Sequence, residues 1–139
     1  MKTIKFFVLC LLFGIATTKL CAQRGTDNFI QHYWYDHHLG IICDGVQVDY
    51  LKNEGYDLRQ SVHYKDGVVT WWTGKVNNAI YTSEWTGEVF KVQIQDDWNE
   101  VLYHVKFFVI GHKGNHYTIK GVFNGTTWEQ IGDWSCDCH

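Results

Sequence analysis

The residues of this chain that could do chemistry are its histidines, its cysteines, one run of carboxylates and an excess of tryptophan. His37 and His38 are adjacent, and Cys136, Cys138 and His139 close the sequence as a Cys-x-Cys-His tail. Thiolate and imidazole suit zinc or copper, so Cys138 and His139, joined by His37 or His38, are the metal ligands these residue types would offer. The tail lacks the second Cys-x-x-Cys pair of a structural zinc site, and cysteines oxidised to a disulfide do not ligate. No metal and no cofactor is assigned. Asp96, Asp97 and Glu100 are paired carboxylates in what reads as a solvated turn, without the glycine and ligand spacing of a calcium loop. Ser61, Ser83 and Ser135 sit in no Gly-x-Ser-x-Gly elbow, and Cys43 would have to be unpaired to act as a nucleophile. With no catalytic constellation found, the chain is expected not to be an enzyme.

Tryptophan is the group with a surplus. Seven are present, and each buries roughly 200 Å², more than a small core absorbs in full. Trp71 and Trp72 are neighbours, so on a strand they face opposite sides and one leaves the core. Trp98 lies among Asp96, Asp97, Asn99 and Glu100, which places it in a loop. Together with Trp34 these are the expected ligand-binding residues, either a stacking platform for a sugar ring or a wall of an apolar pocket.

The elements that position them follow a period of two. Phe90, Val92 and Ile94 alternate with Lys91, Gln93 and Gln95, and Val101 to Val109 carries an apolar residue at every odd position. Comparable segments run over Phe29–Tyr35, Val46–Tyr50, Leu58–Tyr64, Val68–Thr73, Ile80–Thr86 and Tyr117–Phe123. Asp66-Gly67 marks a hairpin, Gly74–Asn78 reads as a turn, and Trp128–Trp134 as a last strand or short helix. No window has the helical period that parallel crossovers demand. The fold class is therefore all-β. About eight antiparallel strands form an up-and-down meander in a closed or nearly closed barrel, with a two-sheet β-sandwich as the alternative.

Lys2 and Lys5, the apolar run Phe6–Ile15 and the segment ending Leu20-Cys21-Ala22 have the three parts of a secretory signal peptide, too short in its apolar stretch for a membrane span of roughly 20 residues. Residues 1–22 are accordingly the leader and residues 23–139 a single all-β domain, secreted or periplasmic. Removing the leader leaves nine of the twelve Lys and Arg residues against fifteen Asp and Glu. That acidic balance argues against nucleic acid and against an anionic membrane surface. Cys43, Cys136 and Cys138 remain, and export predicts one disulfide, Cys43 with Cys136 or with Cys138, while a Cys136–Cys138 bridge would need a strained small ring. Oligomeric state is left open.

Trp34-Tyr35-Asp36-His37-His38-Leu39-Gly40 is similar to the Trp-x-Asn-x-Leu-Gly opening of avidin-type barrels, one residue longer and without their later tryptophan motifs, so no ligand residue is carried over. The expected function is an exported small β-barrel that binds a small apolar or sugar-like ligand through its surplus tryptophans. The rival is a surface module, including an inhibitor, that binds carbohydrate or protein through exposed loop aromatics.

Overall fold

The computed structural model describes residues 24–33 and 37–139. The leader at 1–22 and the triplet Trp34, Tyr35 and Asp36 lie outside the described residues. The strands are β1 (Arg24–Tyr33), β2 (His37–Cys43), β3 (Val46–Asn53), β4 (Tyr56–Lys65), β5 (Val68–Ser83), β6 (Val89–Asn99), β7 (Leu102–Gly111), β8 (His116–Asn124) and β9 (Ser135–Cys138). Every pairing is antiparallel, within one sheet of nine strands, and the described residues contain no helix. The period-two pattern thus translates directly into an all-β fold.

From β4 to β9 the strands are neighbours in sequence and in space, as an up-and-down order requires. The departures lie before β4. β1 runs along β4, and the β2–β3 hairpin attaches to the far end of β5 through Leu51↔Ser83 and Lys52↔Thr82. The cause is the length of β5, whose first half alone is covered by β4, leaving its last residues for β3. Gly74–Asn78 does not reverse the chain, because Trp71–Val76 and Ala79–Thr82 both pair with β6. Asn77 and Asn78 instead bulge out of that ladder, with Asn78 at φ 55°.

Two further boundaries differ from the sequence reading. The alternation of Phe90, Val92 and Ile94 continues through Asp96 and Trp98, so these two sit in β6 and not in a loop. The reversal is confined to the residues after Asn99, whose side-chain oxygen accepts the Val101 and Leu102 amides at 2.8 Å each. Beyond Asn124 the chain is a loop with a single Phe123↔Gln130 bridge, and the last strand is Ser135–Cys138 rather than Trp128–Trp134. Asp66-Gly67 is the expected hairpin turn, with both residues at positive φ, and Asp44-Gly45 is a second of the same kind.

Ile41, Leu51, Tyr81, Phe90, Val92 and Val109 are buried on the inward face, each contributing on the order of 1.5–3 kcal/mol of burial. Among the described residues the sheet does not close: β2 pairs only with β3, and β9 only with β8. A disulfide between Cys43 and Cys138, with Cα atoms 6.1 Å apart, ties the two sides of this seam.

Candidate functional site

The period of two that buries Phe90 and Val92 at one end of β6 brings Asp96 and Trp98 to the same face at the other end. Register then sets Trp72 of β5 opposite Trp98 and Tyr103 of β7 on its other side. The rings pack together: Trp72 on Trp98 at 6.4 Å, Trp72 on Tyr103 at 5.6 Å, and Tyr103 on Phe123 of β8 at 5.8 Å. Trp98 is anchored by its indole N–H, which donates to the Gly125 carbonyl at 2.7 Å. From the loop after β8, Trp128 stacks on Trp98 at 6.5 Å and meets Tyr103 edge-on at 5.3 Å. Its backbone holds φ at 62°, a left-handed conformation that costs a bulky L-residue about 1–2 kcal/mol. The residue nevertheless remains 53% exposed. Trp128 is thus an exposed tryptophan in a left-handed backbone conformation, laid on a half-buried aromatic cluster.

Asp96 is the polar group within this cluster. It is half-buried, its Oδ2 accepts the Tyr103 hydroxyl at 3.3 Å, and its Oδ1 is buried without a well-formed hydrogen bond. Burial pushes its pKa up to about 6; the Tyr103 hydroxyl and the Gly74 amide oppose that rise, and the neighbouring Asp97 charge adds to it. Burial, with the Asp96 charge beside it, pushes the Tyr103 hydroxyl up as well. Gly74 lies opposite Asp96 in the register, and an added Cβ there would overlap the carboxyl group. Asp97 points outward, is exposed and pairs with His104 at 3.0 Å. Two adjacent carboxylates thus have opposite fates, decided by strand alternation.

The expectation that the chain is not an enzyme does not stand. It rested on finding no catalytic group, and a half-buried carboxyl group poised near pH 6 against a phenol is acid–base equipment that no local motif announces. Among Asp97, Asn99 and Glu100, Asp96 reads as part of a solvated tip. The signal was present in the unbroken series Phe90, Val92, Ile94, Asp96, Trp98. Tyr103, Phe123 and Trp128 carry no local signal as site residues, because their convergence depends on register between strands.

Of the expected binding residues, Trp72 and Trp98 come together, Trp71 does not join them, and Trp34 lies outside the described residues. Trp71 faces outward, 42% exposed, and stacks on His63 with ring centroids 3.6 Å apart. The metal candidates are not assembled. His37 turns inward, its Nδ1 2.7 Å from the Tyr81 hydroxyl, and burial followed by the nearby His38 charge lowers its pKa. His38 turns outward, its Nδ1 2.6 Å from the Tyr50 hydroxyl. Alternation along β2 separates the two rings, and His139 is held through its backbone against His116. The ligand atoms that do gather among the described residues are the sulfurs of Cys43, Cys136 and Cys138, within 4.8 Å of one another.

The aromatic line continues from Phe123 through Trp134, 5.6 Å away, to Phe107 at 6.4 Å. There it reaches a cavity of about 730 Å³ at the open seam, bounded by His37, Leu39, Phe107, Ile119, Trp134 and Cys136 among others. Comparison with protein-family models, curated proteins and solved structures finds no match to this chain, so its function is argued from this geometry.

Proposed function

We propose that the protein binds a small ring-bearing ligand, apolar or sugar-like, on the inward aromatic face of β5–β8, and that Asp96 exchanges a hydrogen bond or a proton with it. The observation that carries this reading is Asp96 itself: a half-buried carboxyl group whose Oδ1 makes no well-formed hydrogen bond and whose Oδ2 accepts the hydroxyl of Tyr103, which in turn packs on Trp72. A folded core normally satisfies such an atom, and a ligand donor would do so here once a neighbouring side chain moves aside to admit it. The exposed Trp128 ring supplies a face on which a sugar or an apolar ring can stack. An exported location and a single domain after residue 22 remain part of the proposal, supported by the Cys43–Cys138 disulfide, a bond that persists in oxidising compartments.

The test is fluorescence titration of the oxidised protein with the neutral probe N-phenyl-1-naphthylamine, followed by displacement with neutral mono- and disaccharides and with apolar ring compounds. Saturable binding that Asp96→Asn and Trp128→Gly each weaken at least about tenfold, roughly 1.4 kcal/mol, is the expected result. Binding untouched by both substitutions would place the ligand elsewhere and sink the reading.

One observation favours a surface-interaction module instead. Trp85 lies in the turn between β5 and β6 and is 56% exposed, where a partner could cover it. Loss of glycan or protein capture in Trp85→Ala, with probe binding intact, would favour that role.

A further inference from the structure

Cys136 is unpaired, half-buried, and lies with its sulfur 3.4 Å from the sulfur of Cys138, which is itself bonded to Cys43. Strand alternation produces this arrangement. Cys136 and Cys138 are two residues apart on β9, so both face inward, opposite Ile119 and Tyr117 of β8. All three sulfurs fit within 4.8 Å. The disulfide has a structural role that makes its position matter, because among the described residues β2 and β9 share no ladder and it is the covalent link across their seam.

We propose that Cys136 is an exchange thiol that moves the disulfide from Cys43–Cys138 to Cys136–Cys138 and so unlatches the seam. Cys136 first loses its proton to solvent. Its sulfur lone pair then forms a bond to the Cys138 sulfur, the Cys138–Cys43 bond breaks, and the departing pair stays on Cys43, which takes up a proton. No net oxidation or reduction occurs, and no external reagent is consumed. Cys138 is the sulfur attacked because it is the one in van der Waals reach. β9 is a four-residue edge strand, held on one side only, which suits the movement needed to close the small ring. Freed of its tie, the β2 edge no longer fixes one wall of the cavity that His37, Leu39 and Cys136 line with Phe107, Ile119 and Trp134. Burial raises the Cys136 pKa, the Ile42 amide opposes that, and Asp137 reinforces it. The thiol is therefore mostly protonated at neutral pH and exchange is slow there.

The oxidised protein, incubated with iodoacetamide under native conditions at mildly alkaline pH and digested without reduction, tests this by peptide mass mapping. The expected result is that on the order of a tenth or more of the alkylated molecules carry the label on Cys43, with Cys136 and Cys138 linked to each other. Cys136→Ser should abolish Cys43 labelling. A second variant, Cys43→Ser, should oxidise in air to a Cys136–Cys138 bond and titrate no thiol. Label on Cys136 alone, no label at all, or two titratable thiols in Cys43→Ser would overturn the proposal.

Discussion

At one end of the inward face Glu88 is buried and its two oxygens accept the Lys113 amide at 2.9 Å and the Asn115 side-chain amide at 2.7 Å. At the other end Asp96 accepts the Tyr103 hydroxyl at 3.3 Å, while its second oxygen makes no well-formed hydrogen bond. The same contrast extends to Asp49, which is buried near Glu88 and accepts the Ser83 hydroxyl at 2.6 Å and the Tyr50 amide at 2.7 Å. It extends to the rings too: Tyr81 and Phe90 are fully buried, whereas Trp72, Trp98 and Trp128 remain partly or largely exposed. One end of the curled sheet is finished by its own residues and holds the fold together. The other keeps aromatic surface and a carboxylate oxygen without a well-formed hydrogen bond, the features on which the proposed ligand site rests.

Substitutions at the two ends should therefore separate stability from binding. Phe90→Ala removes a fully buried ring and should cost about 3–5 kcal/mol, read as a lowered urea midpoint or outright unfolding. Glu88→Ala strands the Lys113 amide and the Asn115 side chain and should cost about 2 kcal/mol, with ligand binding retained wherever the protein is still folded. The sign reverses at the other end. Folding raises the Asp96 pKa from 3.8 to about 6, so the folded protein keeps a proton that the unfolded chain releases, and stability falls as pH rises between those values. Asp96→Asn should accordingly stabilise the protein at pH 8 by about 1 kcal/mol, after discounting for partial exposure, and the gain should vanish at pH 4. Paired thermal melts at the two pH values check this. Trp128→Gly should change stability least, within about 1 kcal/mol, because relief of the φ 62° backbone offsets the lost ring contacts, yet it should weaken probe binding.

The finished end was the more legible from sequence. Alternation at Phe90, Val92 and Ile94 and the Asp66-Gly67 turn are local signals, and both translate into the observed strands. The pairing of β1 with β4 and the branch of β2–β3 from β5 were not legible, since they follow from how far β5 extends beyond β4. At the site, the Trp71–Trp72 pair revealed that one indole turns outward, but not which partners the other would meet. Asp96 was hidden by its company: among Asp97, Asn99 and Glu100 it reads as solvated, and only the continued ladder of β6 shows that it is not. The disulfide partner was narrowed to two cysteines by compartment and to Cys138 by geometry.

The most direct measurement of the central claim is a ¹³C NMR titration of the Asp96 side-chain carboxyl group, without and with N-phenyl-1-naphthylamine or a displacing ring compound. A midpoint near pH 6, moved by the bound probe and unchanged by Trp85→Ala, is the predicted result. A midpoint close to 4, the ordinary value of a solvated aspartate, and unmoved by any ligand that binds, would contradict it.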